Sequence, residues 1–244
     1  TKLTLALIDL KLKEHRLSGV QLNVIKPKDI VNIGCFTVQF IHVNHSIADA
    51  VSIAITCPAG TIVFSGDFKI DYTPIAGGVT DLATFAALGQ QGVLAFLCDS
   101  TNVERPGHTM SETRIRQTFI DQFQEAKGRV FVAMFASNIH RVQMVVDSAA
   151  LFGRKVCFVG RSMVNVTRVA MSIGELTIPE EDLVDIDDLS NYADEEILIV
   201  TTGSQGEAMA GLTRMAYGEH RKLQIRPTDM VIISASPIPG NEKP

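Results

Sequence analysis

A chain of 244 residues, 46% of them hydrophobic, is long enough for one large or two modest cores. A formal charge of −5 argues against a simple coat for nucleic acid, which would be basic, while leaving room for positive charge confined to a groove. No apolar run approaches the ~20 residues of a membrane helix and no signal-peptide pattern is present, so neither a membrane role nor secretion is expected.

The first element in chain order is a helix over residues 3–15, where Leu3, Leu7, Leu10 and His15 recur near helical spacing between Lys and Glu. Strand-like text follows. Val20–Ile25 reads as a strand, Pro27-Lys28-Asp29 as a turn, and Cys35–His42 as a half-buried strand in which Phe36, Val38 and Phe40 alternate with Thr37 and Gln39. Val51–Thr56 and Thr61–Ser65 are two apolar runs joined by Cys57-Pro58-Ala59-Gly60, a hairpin pattern. Asp81–Gln90 reads as a helix and Val93–Cys98 as a buried strand.

After Pro106 the rhythm changes. Ser111 opens a helix to about Lys127, and then come a strand at Arg129–Phe135, a helix at Ile139–Phe152, a strand at Lys155–Val159 and a helix at Met163–Ile173. The acidic stretch Glu180–Asp188 reads as a solvated connector. A strand at Ile197–Thr201, a helix at Glu207–Tyr217 and a strand at Met230–Ser234 complete the series. Such alternation implies a parallel sheet with helices on both faces. The domain change falls near residues 100–110. Cys35, Cys57, Cys98 and Cys157 are widely spaced with no C-x-x-C, which predicts reduced, mostly buried thiols in a cytoplasmic protein rather than a cysteine zinc site. A start at Thr1 and an end in PIPGNEKP read as a piece of a longer protein.

The chemistry is expected at strand ends. A hairpin brings its outer ends together, so His45 and Asp67, on either side of the Val51–Ser65 hairpin, should be neighbours. Imidazole plus carboxylate is the ligand chemistry of a hydrolytic Zn²⁺ or Mn²⁺ site, although two ligands are too few for one; read alone, His45 is a surface or capping histidine and Asp67 a turn cap. Asn44 and Ser46 can hold the His45 loop by side-chain hydrogen bonds. His42, three residues earlier in a strand, faces away from His45 and packs or supports the site rather than serving as a ligand; Lys69 and Asp71 meet solvent or support the site. Asp99 ends a strand and begins D-S-T-N, where an Asx-turn is the plain alternative. Ser100, Thr101 and Asn102 can help to hold this loop, and Arg105 is a candidate phosphate contact.

Ser137 and Asn138 stand between a strand and a helix, as a helix cap or as part of an anion site at the helix N-terminus. The turn Thr202-Gly203-Ser204-Gln205-Gly206 invites the same two readings, since its glycines permit close approach to an anion and no Walker lysine follows. Arg161-Ser162 and Ser234-Ala235-Ser236-Pro237 repeat the pattern, and parallel strand ends of this kind converge on one sheet edge, where ligands bind. His140 and Arg141 either reach a ligand or face solvent.

Longer words carry a resemblance. NHSIADAVSIAI followed by GTIVFSGDFKID is similar to the later metal motifs of the metallo-β-lactamase superfamily. CDSTNVERPG, FASNIHRVQ, GRSMVNV, TTGSQGEAMAGLTRMA and SASPIPGNEK, in that order, resemble successive blocks of the ribonuclease J family, in the β-CASP branch of that superfamily. The similarity runs along essentially the whole chain. It implies an α/β protein: the second half of a metallo-β-lactamase αββα sandwich over residues 1–105, then a parallel-sheet α/β β-CASP domain over 106–244, each partial. By the resemblance His45 is a metal ligand and Asp67 the aspartate shared by two metals, Zn²⁺ with Mn²⁺ as the alternative, two per full-length protomer. The family's H-x-H-x-D-H motif occurs nowhere in the sequence, so an incomplete metal site and an inactive piece are expected. Asp99 matches the branch's first acidic motif, which orients or, through a histidine, protonates the leaving 3′ oxygen. Ser137, Asn138, Arg161, Ser162, Ser204, Gln205, Gly206 and Ser236 fall in blocks that line the pocket for RNA phosphates. The implied activity is metal-dependent RNA hydrolysis, 5′→3′ exonucleolytic with endonuclease action and favouring 5′-monophosphate ends, in rRNA processing and mRNA decay. The implied setting is cytoplasmic, as a homo-oligomer (dimer or tetramer) or a complex of paralogues. The rivals are a catalytically dead paralogue serving as an RNA-binding or assembly subunit, and a metal-free nucleotide-binding α/β domain.

Overall fold

The computed structural model describes residues 1–101, 103–104, 106–207 and 209–235. The chain divides into two compact units, Thr1–Arg114 and Ile115–Pro244.

The first unit opens with α1 (Lys2–Glu14), whose Leu3 is fully buried. Five strands form one sheet in chain order: β1 (Ile30–Ile33), β2 (Phe36–His42), β3 (Val51–Cys57), β4 (Gly60–Phe64) and β5 (Ala95–Leu97). The first three pairings are antiparallel, and β4 with β5 is parallel because α2 (Leu82–Gln91) intervenes. The hairpin forms as expected, with Cys57 opposite Gly60 across the two-residue turn Pro58-Ala59. One sheet face carries Ile41, Ala54 and Val63, buried together with Leu88 and flanked by Phe85 of α2. The other face presents Ile33, Phe36, Ile55, Ile62, Phe64 and Leu97, each more than a third exposed. The side-chain period of two along a strand puts these residues on the face opposite the α2 layer.

Three expectations for this unit need correction. Val20–Ile25 forms no strand; Val20 and Val24 are exposed and meet no neighbouring strand. The strand lies instead at Ile30–Ile33, because Gly34, at φ 60°, lets the chain reverse directly into Phe36. The strand near residue 95 is shorter than Val93–Cys98 and exposed rather than buried, since it sits at the sheet edge, hydrogen-bonded to β4 alone. The thiols are not mostly buried: Cys35 and Cys98 are exposed, Cys57 is half-buried, and only Cys157 lies in a core, where burial pushes its thiol up to about 12.

The second unit is a doubly covered parallel sheet. Its elements are α3 (Glu112–Glu125, beginning at the end of the first unit), β6 (Val130–Ala133), α4 (Ile139–Ala150), β7 (Lys155–Val159), α5 (Arg161–Ser172), β8 (Ile197–Thr201), α6 (Gly211–Ala216) and β9 (Met230–Ile233). All pairings are parallel, in the spatial order β7-β8-β6-β9. Every residue of β6 and β8 is buried, as expected for central strands of an α/β sheet. Phe131, Cys157, Ile199, Met215 and Leu223 are buried in one core cluster. At the sheet's N-terminal edge Arg129 donates Nε and Nη2 to the two carboxylate oxygens of Asp229, at 2.9 and 2.6 Å, and Nη2 also reaches the Gln224 carbonyl. The acidic connector is not simply solvated. Leu183 bridges to Val156, Val184 and the following Leu189 are buried, and most of its carboxylates keep to the surface. α6 is shorter than the expected Glu207–Tyr217, for a reason found at the end of β8.

Candidate functional site

In the first unit, three of the expected residues come together at the ends of β4 and β5. Continued past Phe64, the hairpin register would set Ala50 opposite Asp67. Residues 45–50 instead fold out as a loop closed by Val43 N–H to the Ala50 carbonyl, and Asn44 bridges Lys69. This detour swings His45 beside Asp67, with Nε2 3.7 Å from Oδ2. Ser46 Oγ lies 3.3 Å from the same Nε2. The His45 side chain is 32% exposed and the Asp67 side chain 76%, so both donors are open to an incoming ion.

Asp99 completes the group. Its carboxylate accepts the Thr101 hydroxyl at 2.6 Å and the Thr101 N–H at 2.9 Å. The Thr101 hydroxyl and N–H bonds, with the Phe68 N–H and the charge of His45, outweigh partial burial and hold this carboxyl below the usual aspartate range. Asp99 is therefore an anion and an acceptor at neutral pH. The Asx-turn and the site reading are compatible here, because one carboxylate closes its own turn and reaches the backbone next to Asp67.

The donors fit a divalent cation in part. With metal–ligand bonds of about 2.0–2.2 Å, two ligands of a tetrahedral ion lie roughly 3.3–3.6 Å apart, close to the observed separation. The separation of His45 and Asp67 is compatible with one edge of a coordination shell. No group of three His, Cys, Asp or Glu placed to hold a metal occurs among the described residues.

The loop carrying His45 is held by residues that sequence reasoning placed only loosely. Asn44 is buried, donating Nδ2 to the Gly78 carbonyl at 2.6 Å and accepting the Thr80 N–H at 2.9 Å and the Thr80 hydroxyl at 3.1 Å. Its backbone N–H donates to Thr80 Oγ1, and its carbonyl accepts the Lys69 N–H. Asp71 is not a solvent residue. It is buried, accepts the N–H groups of Thr73 and Glu112, and faces Lys69 Nζ at 3.5 Å. His42 takes no part: its Nε2 lies 3.3 Å from the Gly78 carbonyl, and it lines a separate cavity of about 660 Å³ with Lys28, Asp49, Asp71 and Asp81.

In the second unit the parallel register sets Val159, Thr201, Ala133 and Ile233 side by side, so the four following loops share one sheet edge. After β6, Asn138 rather than Ser137 is the helix cap. Its Oδ1 accepts the Arg141 N–H at 3.2 Å, which occupies the α4 terminus with the chain's own side chain. Arg141 does not simply face solvent, since its Nη1 donates to the Ser234 carbonyl at 2.9 Å and ties α4 to the end of β9. After β7, Arg161 and Ser162 belong to the first turn of α5, not to the loop, and both are exposed. The α5 cap is Gly160, which has no side chain to offer, and no side-chain cap bond is made there.

After β8, Gly203 has φ 113°, and a Cβ there would lie 3.0–3.2 Å from Leu212 and Ala210. A Cβ on Gly211 would fall 2.2 Å from Thr201 Oγ1. The loop therefore doubles back with its backbone pressed on the end of β8, and the helix can begin only at Gly211. Ser204 and Gln205 are buried within this turn, while Gly206 is exposed. Ser236, Asn102 and Arg105 lie outside the described residues.

The comparisons with known proteins agree with this layout. The family described as ribonuclease J, β-CASP domain, matches residues 127–244. Ribonuclease J of Helicobacter pylori is 43% identical over 244 residues, covering 99% of this chain and 35% of the relative. Ribonuclease J of Mycobacterium tuberculosis is 44% identical over 243 residues, covering 100% of this chain and 43% of the relative. That of Thermus thermophilus is 44% identical over 245 residues, covering 99% and 43%. The chain thus spans 35% to 43% of the length of these relatives. A solved protein of unknown function from Enterococcus faecalis V583 shares the fold at a TM-score of 0.56 and 15% identity, over 82% of this chain and 51% of that one. The chain belongs to the ribonuclease J family, and through it to the metallo-β-lactamase superfamily, with the β-CASP domain over residues 127–244.

Proposed function

We propose that the complete protein is a metal-dependent ribonuclease that hydrolyses RNA phosphodiesters. The observation that carries this reading is the meeting of His45, Asp67 and Asp99 at one edge of the first unit's sheet. His45 Nε2 and an Asp67 oxygen would hold a divalent cation, Zn²⁺ or Mn²⁺, two per protomer once the remaining ligands are supplied. When bound, such ions polarise a phosphoryl oxygen and make hydroxide available near neutral pH. The chain's own residues do the rest. Asp67 would help to hold these cations, and its negative charge would offset their mutual repulsion. Asp99, ionised and fixed by Thr101, is an acceptor that orients the group delivering a proton to the leaving 3′ oxygen; it is not itself the proton donor.

Phosphate binding falls to the strand-end loops of the second unit, in a positioning role independent of base identity. The Arg161–Ser162 turn at the uncapped α5 terminus is the better anion site, because the α4 terminus is already capped by Asn138. Ser204, Gln205 and Gly206 bring backbone close to a phosphate in the way a glycine turn allows. This supports 5′→3′ exonuclease action with a preference for 5′-monophosphate ends, alongside endonuclease action. The sphere of action is rRNA processing and mRNA decay in the cytoplasm, as a dimer, a tetramer or a complex of paralogues. The 244-residue chain alone, with two of the ligands, hydrolyses no RNA.

The test uses the intact protein and its Asp67→Asn variant on matched RNAs with 5′-phosphate and 5′-hydroxyl ends, with metal content measured in parallel. The parent is expected to cut, and faster from 5′-phosphate. Asp67→Asn is expected to fold, lose bound metal and lose cleavage. Near-normal turnover by Asp67→Asn with full metal would overturn the bridging role. RNA binding without cleavage by the parent would favour the dead paralogue acting as an assembly subunit.

A further inference from the structure

Ser65 ends the run of β4, two residues before Asp67, and is 2% exposed. Each of its polar groups is engaged. Its N–H donates to the Leu97 carbonyl at 2.9 Å, extending the parallel pairing of β4 with β5. Its carbonyl accepts the Ser52 hydroxyl from β3. Its own hydroxyl does two things at once: it donates to the Gly66 carbonyl at 2.7 Å and accepts the Asp99 N–H at 2.8 Å.

That second pair of bonds spans the two loops that carry the acids. Because β4 and β5 are parallel, both chains leave the sheet at the same edge, one toward Asp67 and the other toward Asp99. Beyond Ser65 the ladder ends, and the two exits are joined backbone to backbone through one hydroxyl oxygen, beside the bond from the Phe68 N–H to the Asp99 carboxylate. That oxygen grips the peptide of Gly66, the residue that turns the chain at φ 60° into Asp67, and the amide of Asp99. The Asp99 carboxylate is fixed separately, by Thr101 and by the Phe68 N–H. Serine suits the place because a hydroxyl is donor and acceptor together. Alanine would fill nearly the same buried space and make neither bond.

We propose that Ser65 is a positioning residue for the reaction: its hydroxyl fixes the backbone of Asp99 against that of Asp67 and so sets the spacing of the two carboxylates. The proposal rests on the nuclease reading above. Small displacements of reacting groups are costly, and a shift of about 1 Å can lower turnover by as much as roughly 100-fold.

The experiment uses the intact protein with Ser65→Ala, Ser65→Cys and Ser65→Thr, and with Ser52→Ala and Asp99→Asn for comparison. Amide exchange at Asp99, metal content, kcat and KM are read for each. Ser65→Ala and Ser65→Cys are expected to keep bound metal and KM, to lower kcat by about 10- to 100-fold, and to speed exchange of the Asp99 amide. Ser65→Thr, which retains the hydroxyl, is expected to restore both. Ser52→Ala removes the bond to the Ser65 carbonyl, one peptide before the one the Ser65 hydroxyl holds; it should cost stability while leaving kcat and Asp99 exchange at the parent's values. If Ser65→Ala or Ser65→Cys turns over within about twofold of the parent while Asp99→Asn is inactive, the positioning role is wrong and the nuclease reading stands. If Ser52→Ala slows turnover as much as Ser65→Ala, the effect is general loosening of the strand and the proposal also falls. If Asp99→Asn itself turns over normally, the role given to Asp99 fails first and takes this inference with it.

Discussion

Asn44 offers a direct measure of how firmly the His45 loop is held. Asn44→Ala deletes three side-chain bonds, to the Gly78 carbonyl and to the N–H and hydroxyl of Thr80. Thr80 is buried, so its N–H is left without a partner away from water, a loss of about 1–3 kcal/mol. The Thr80 hydroxyl keeps an alternative in the Lys69 carbonyl at 3.3 Å. Gly78 is exposed, so water replaces much of that bond, and it adds about 0.5–1.5 kcal/mol. The expected total is roughly 1.5–4.5 kcal/mol, a large share of the 5–15 kcal/mol typical of a domain. Asn44→Asp keeps both acceptor bonds but sets a buried carboxylate oxygen against the Gly78 carbonyl in place of the N–H donor, so at neutral pH it should not spare the loss. Residue-resolved hydrogen exchange under increasing urea is the suitable assay, because the chain has two units whose global transitions need not coincide. The amides of β3 and β4 report the first unit, and those of β6 and β8 serve as an internal reference. A loss below about 0.5 kcal/mol for Asn44→Ala would refute the idea that this side chain latches the loop.

Two further outcomes follow from the same structure. Asp81 caps α2, and its bonds from the Thr84 hydroxyl at 2.7 Å and the Thr84 N–H at 3.1 Å hold its carboxyl below the usual range. A depressed folded-state value means stabilisation that is complete above the ordinary aspartate pKa of about 3.9 and lost as pH falls below it. Asp81→Asn, which preserves the cap, should therefore be less stable than the parent at pH 7 and should converge with it in acid; a gap unchanged between pH 7 and pH 3 would contradict this. In the second unit, Asp229→Ala should cost about 3–5 kcal/mol by stranding the Arg129 guanidinium, since the paired side chains are 0% and 5% exposed. Arg129→Met with Asp229→Leu should recover most of it in urea unfolding, and a single-variant loss under about 1 kcal/mol would show that water reaches the pair.

The fold was legible where hydrophobic period and length agree. β8 falls at its expected residues, Ile197–Thr201, because a strand buried along its whole length carries no charge and cannot be shifted without burying one. Legibility failed where backbone geometry overrides side-chain text. Val20–Ile25 has the composition of a strand and no neighbour to pair with, whereas Ile30–Ile33 gains one through the reversal at Gly34. α6 starts late because Gly211 must lie on Thr201, a contact that no local pattern announces. The acidic connector hid a core contribution, because Val184 and Leu189 are outnumbered in sequence by carboxylates that stay at the surface.

The candidate site shows the same division. His45 and Asp67 could be paired from sequence because a hairpin makes distant residues neighbours. The reason they meet is nevertheless different from a simple continuation of the ladder, which would have brought Ala50 to Asp67. Residues 45–50 leave the register, and what makes that departure stable is Asn44 bonded across 36 residues to Thr80. Ser65 likewise acts on Asp99 across 34 residues. A polar residue beside a strand reads as solvent-facing when its partner is not in the same stretch of text. Here both are buried, and a buried polar group must find a partner or destabilise the fold. Burial of Asn44 and Ser65 beside three residues of reactive type is thus the physical mark of a site held in place, and it becomes visible only once the strands are paired.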